Sequence, residues 1–155
     1  MTKTIVLIHG AWLNAKSWEG FKARYEAKGY TVVAPSWPFD DRAPAELRAA
    51  PHPELKNSGM VRIIRHYTDI IHALPEQPII IGHSFGGTIT QHLLDNGLGV
   101  AGVAIDPAPT SGVLVGWDTI KSTFPVFLSW GSWRRTMSMT REFFGTRFAQ
   151  TVSAA

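Results

Sequence analysis

Apolar positions along the chain fall into short continuous runs alternating with stretches at helical spacing. The run Thr4 to Ile8 is β-branched and ends at His9-Gly10, which predicts a strand buried on both faces. Ser17 is placed to cap a helix with Trp18, Phe21 and Tyr25 on one face, and Gly29 is its stop. Tyr30 to Ala34 predicts a second strand, closed by Pro35. A proline-rich loop follows from Pro35 to Pro53, with room for one helical turn after Pro44. Met60, Ile64, Tyr67, Ile71 and Leu74 recur at helical spacing until Pro75. Pro78 to Gly82 predicts a third strand, Ser84 to Asn96 a helix stopped by Gly97, and Val100 to Ile105 a fourth strand. Strands alternating with helices imply an α/β fold: a parallel sheet flanked by helices through right-handed crossovers.

Past Asp106 the texture changes. Pro107 to Gly116 is loop-like, and the remainder mixes Phe124, Phe127, Trp130, Trp133, Met137, Phe143 and Phe144 with arginines. The chain therefore divides into a core over 1–107 and a segment over 108–155 that is read as helical. With 155 residues there is length for one domain with a real core. Net charge is +3 and not gathered into one block, which argues against nucleic acid. Arg134, Arg135, Arg141 and Arg147 make the tail basic and are read as a solvated face. The absence of cysteine excludes disulfides, thiolate metal sites and thiol catalysis. No signal peptide, membrane span or metal-binding motif is evident, so the chain is expected in the cytoplasm without cofactor or metal.

Two motifs carry chemistry. In Gly82-His83-Ser84-Phe85-Gly86 a serine lies between a predicted strand and a predicted helix. The flanking glycines suit a turn too tight for side chains, and Gly87 lets the helix pack closely on the sheet. Such a turn lifts the Ser84 hydroxyl above the sheet at a helix N-terminus, where negative charge is favoured. The Phe85 N–H is then a candidate oxyanion donor. The second motif, Leu7 to Trp12, ends the first strand. Gly10 allows close approach, and the Ala11 N–H is the candidate second donor. His9 is read as a structural residue holding this loop. Trp12 lines a pocket or packs on the core, and His83 belongs to the elbow beside the substrate site.

Together, IVLIHGAW and IIIGHSFGG resemble the N-terminal half of an α/β-hydrolase-fold serine hydrolase. The order of elements agrees, Val103 to Pro109 resembles the strand that follows the elbow helix in that family, and residues 108–155 resemble the beginning of its helical cap. The resemblance covers roughly residues 4 to 109 and implies hydrolysis of an ester-like or amide small molecule through a Ser84 ester, without cofactor. It also implies a histidine base and an acid after the serine. After Ser84 the sole histidine is His92, eight residues along the same helix, roughly 12 Å away by helix rise. Asp106 is the best local acid, or equally a cap for the loop at Pro107. Asp95, Asp118 and Glu142 have no motif support, and His52, His66 and His72 precede the serine. The expectation is a chain truncated before its base, with doubtful activity alone. The alternative is a non-catalytic domain binding a small molecule or partner. A nucleotide-binding domain is disfavoured, because no phosphate loop occurs. The fourth strand would leave an apolar sheet edge, for which the expectation is coverage by the tail or self-association.

Overall fold

In the computed structural model the described residues are 2–110, 112–114, 116–117, 120, 136 and 139–147. They fall in two compact units, 1–113 and 114–155. The first unit holds a fully parallel sheet of β1 (Thr4–Ile8), β2 (Thr31–Val33), β3 (Ile79–His83) and β4 (Ala101–Ile105). Its helices are α1 (Glu19–Glu26), α2 (Pro44–Ala49), α3 (Met60–His72) and α4 (Phe85–Asp95). The strand order is β2-β1-β3-β4. The α/β class and the flanked parallel sheet are as the apolar pattern predicted.

β1 is buried at every position because the sheet is covered on both faces. Alternate residues serve the two faces. Val6, Ile8 and Ile80 pack against Ile63, Tyr67 and Ile71 of α3 and Ile89 and Leu93 of α4. Ile5, Leu7 and Ile81 pack with Val32 and Trp18 on the other face. Full burial of one such side chain contributes about 2 kcal/mol, so these two clusters dominate what holds the sheet.

The N-terminal helix differs in detail from expectation. Ser17 does not cap α1, whose cap position is Trp18 without a side-chain bond; Asn14 caps the turn before it, its side chain accepting from the Lys16 N–H at 3.1 Å and its carbonyl from the Ser17 hydroxyl at 2.8 Å. A tight 3-10 turn, Ala15–Trp18, precedes α1, and α1 buries no residue of its own. Trp18 anchors the segment, while Phe21 stacks edge-on against it at 5.2 Å and stays half exposed. The proline-rich loop contains α2 and a second 3-10 turn, Pro53–Asn57, which is more structure than the single turn expected.

In the second unit α5 (Arg141–Arg147) begins with Thr140, whose hydroxyl oxygen accepts from the Phe143 N–H at 3.1 Å. The expectations for Asp118, Phe124, Phe127, Trp130, Trp133, Arg134, Arg135 and Met137 lie outside the described residues. Among the described residues no helix is long and apolar enough to cross a membrane, and no group of three or more acidic or histidine side chains could hold a metal ion.

Candidate functional site

The strand order reverses direction at β1: β2 lies on one side and β3 on the other. In an open parallel sheet the crevice beyond the carboxyl ends of two such strands is where ligands bind. Ile8, the last residue of β1, is the register partner of Gly82, the last but one of β3, so His9-Gly10-Ala11 and Ser84-Phe85 leave the sheet side by side.

Packing shows why glycines stand there. A Cβ on Gly10 would lie 2.9 Å from the Ser84 Cβ and 3.4 Å from its hydroxyl oxygen. One on Gly86 would run into the Ile8 carbonyl, and one on Gly82 into the Gly86 carbonyl. For Gly82 and Gly86 the nearest partners are backbone atoms that cannot swing aside.

Ser84 has φ +56 and ψ −122, a backbone conformation that a residue with a side chain adopts only under constraint. The constraint is visible. The Ser84 N–H donates to the Ile105 carbonyl at 3.0 Å. Its own carbonyl accepts from Gly87, Thr88 and Ala108 N–H groups at 2.9, 3.2 and 3.1 Å. The Thr88 hydroxyl adds a 2.6 Å bond to the Ala108 carbonyl. The corner after β3 and the segment after β4 are thus latched together. Ser84 precedes the first turn of α4, yet its side chain makes no capping bond, so the hydroxyl is not spent on the helix. It is half-buried and stands at the positive end of the helix dipole.

The amides of Ala11 and Phe85 have no acceptor among the described residues. Trp12, at φ +60, and Phe85 are partly exposed at this end of the sheet, and His83 is half-buried. Asp106 is exposed just past β4, at φ +41, on the strand neighbouring β3.

His9 is fully buried and engaged on both ring nitrogens. Nε2 accepts from the Trp37 N–H at 3.1 Å, and Nδ1 lies 2.9 Å from the Gly10 carbonyl. The ring stacks on Trp37 at 5.0 Å. Burial pushes its pKa down to about 4, against a smaller upward pull from the Gly10 carbonyl, so the ring is neutral. Asp40 lies 4.0 Å from Nε2. Burial and the neighbouring Asp41 carboxylate push Asp40 up to about 6. Because Nε2 is an acceptor, this approach is not an ion pair.

The remaining histidines are held elsewhere. His52 caps the 3-10 turn after it by accepting from the Glu54 N–H. His66 bonds the Ser36 carbonyl at 3.1 Å. His72 and His92 line a shallow cleft between α3 and α4 with Leu98. Among the described residues no histidine is hydrogen-bonded to the Ser84 hydroxyl.

The sequence reading missed the segment Ser36–Asp40, which sits against His9. A loop carrying Trp37 and the pair Asp40-Asp41 beyond β2, the neighbour of β1, was the available signal.

Comparison with known proteins agrees with this geometry. A family model described as the alpha/beta hydrolase family matches residues 5–155. No curated protein matches the chain in sequence. Among solved structures, an extracellular alpha/beta-hydrolase from a Paenibacillus species is 24% identical with a TM-score of 0.64, covering 97% of this chain and 60% of that one. Polyneuridine aldehyde esterase is 19% identical with a TM-score of 0.55, covering 81% and 48% respectively. Tomato methylketone synthase I is 18% identical with a TM-score of 0.54, covering 83% and 48%. These likenesses show the fold. The chain spans 60% or less of the length of each of these structures.

Proposed function

The chain belongs to the α/β hydrolase family, and from that premise we propose that it hydrolyses ester- or amide-type small molecules with Ser84 as nucleophile. The observation that carries this is the Ser84 corner itself. A serine forced to φ +56 between β3 and α4, uninvolved in capping and packed against Gly10, is built to present its hydroxyl. In the proposed step the Ser84 oxygen bonds to the substrate carbonyl carbon and the carbonyl oxygen becomes an oxyanion. The Ala11 and Phe85 N–H groups receive that charge. Collapse expels the alcohol or amine, which takes up a proton, and water then cleaves the ester. Trp12 and His83 form the walls that the substrate meets. Asp106 is the acid candidate, since the latch between Ala108 and Ser84 keeps its loop beside the elbow.

The proton from Ser84 needs a base, and among the described residues no histidine is bonded to the hydroxyl. Turnover by this chain alone is therefore expected to be low. An oxyanion hole with substrate binding still leaves roughly 10³–10⁴-fold catalysis over water, so weak hydrolysis would not demonstrate a triad. The discriminating test is covalent: incubate the folded chain with a fluorophosphonate, measure intact mass, and repeat with Ser84→Ala. A mass increase lost in the variant supports an activated serine. A folded chain that takes up no label has an elbow serine that is not activated within this chain.

A further inference from the structure

His9 does more than fill space beneath the loop. Its Nε2 receives a hydrogen bond from the Trp37 amide, so that nitrogen carries no proton. A neutral ring then has its proton on Nδ1, which lies 2.9 Å from the Gly10 carbonyl and donates to it. That carbonyl belongs to the same planar unit as the Ala11 N–H. The Gly10–Ala11 peptide is trans, so the two groups point in opposite directions. Fixing the Gly10 oxygen therefore fixes the line along which the Ala11 N–H points. Glycine would otherwise let this peptide turn over readily.

The ring itself has no freedom. It is fully buried, stacked on the Trp37 indole with 24° between planes, and gripped at both nitrogens. Trp37 is held in turn by its neighbours: the Pro35 carbonyl accepts from the Tyr67 hydroxyl at 2.9 Å, and the Ser36 carbonyl from the His66 ring at 3.1 Å.

We propose that His9 is a positioning residue: locked as its Nδ1–H tautomer by the Trp37 amide, it aims the Ala11 N–H at the oxyanion formed on Ser84. This rests on the proposed role of Ser84 and adds a second layer behind it. The loop after β2 thereby takes part in the site without touching substrate.

Two isosteres separate this from simple packing. In His9→Asn the side-chain amide keeps a donor near the Nδ1 position and loses the Trp37 contact. In His9→Gln the side-chain oxygen can accept from Trp37, and the donor to Gly10 is lost. The experiment uses ¹⁵N-labelled wild type and both variants. It records the Ala11 amide resonance, the ring-nitrogen shifts of His9, and the rate of fluorophosphonate labelling. The wild-type ring is expected as the neutral Nδ1–H form at neutral pH. His9→Asn is expected to keep the wild-type Ala11 resonance, while His9→Gln shifts or broadens it. Labelling of His9→Gln is expected to fall about 10²-fold, the usual cost of one oxyanion donor, and that of His9→Asn much less. An Nε2–H ring in the wild type overturns the proposal, even if neither variant folds. So does an Ala11 resonance that is equal in all three proteins, or equal labelling of the two variants. Absence of labelling in the wild type counts against the activation of Ser84 alone, because the Ala11 resonance and the tautomer still decide the role of His9.

Discussion

At the scale of the residue, Ser84 carries a signature that stability measurements can read. At an ordinary position alanine is more stable than glycine, because glycine loses more chain entropy on folding, by roughly 0.5–1 kcal/mol. Ser84 holds φ +56, where a Cβ costs on the order of 1–3 kcal/mol. The usual order is therefore expected to reverse: Ser84→Gly should unfold at higher urea than Ser84→Ala, by about 1 kcal/mol. Equal or inverted stabilities would mean that the corner is relaxed. The tight corner at Ser84 was legible in the sequence. Gly82 and Gly86 stood two places either side of the serine, and the structure sets both against backbone carbonyls. The partners of His9 were not legible. Trp37 lies 28 positions away, in a loop without periodicity, and only the placing of β2 beside β1 brings it under the ring. Spacing along a sequence reports local geometry, whereas this contact is made by topology.

At the scale of the element, α3 acts as a clamp on the loop after β2. Consecutive residues on one helix, His66 and Tyr67, hold the Ser36 and Pro35 carbonyls. The apolar spacing that predicted α3 gave Tyr67 as a core residue, and it is fully buried there. Its hydroxyl has a second duty that periodicity does not report, because a hydrogen bond to a loop leaves no trace in the pattern. Tyr67→Phe preserves the packing and leaves the Pro35 carbonyl without its partner. A buried group so orphaned costs about 1–3 kcal/mol. The expected outcome is a lower urea midpoint with an unchanged slope. If the loop after β2 supports the Ala11 amide through His9, the same variant should also perturb the Ala11 resonance at a distance. A change in stability without that perturbation would place the clamp outside the site. Element boundaries shifted by a residue or two from expectation. Asn14 caps the turn before α1 because its side chain reaches the Lys16 amide, and Ser17 does not cap α1, a choice between two equally suitable cap residues that propensity leaves open.

At the scale of the whole molecule, four strands suffice to place Ser84 against Gly10, with β4 bonded to β3 and exposed at Ala101, Gly102 and Val103. The pH dependence of global stability is set largely by two opposed groups behind the site. His9 falls from 6.5 to about 4 on folding, because burial disfavours its charged form. Between those values the unfolded chain binds a proton that the folded one refuses, so stability rises with pH. Asp40 goes from 3.8 to about 6, again chiefly through burial. In that window the folded chain keeps a proton that the unfolded one releases, so stability falls with pH. The windows overlap between about pH 4 and 6, and the slopes there have opposite signs. His9 is fully buried, whereas the Asp40 side chain is 17% exposed and its effect is softened by solvent. Wild-type stability is therefore expected to change little across this range, with a shallow rise. Asp40→Asn removes the opposing group and should uncover the His9 slope, up to about 1.4 kcal/mol per pH unit. Glu54 and Glu76, whose carboxyls hydrogen bonds hold below the usual range, act alike in both proteins and cancel in the difference. Urea midpoints of the two proteins at intervals from about pH 4 to 7 test this. Profiles that run parallel would mean that Asp40 titrates as it does in the unfolded chain, and that the burial of the loop after β2 is not felt as a proton-linked cost.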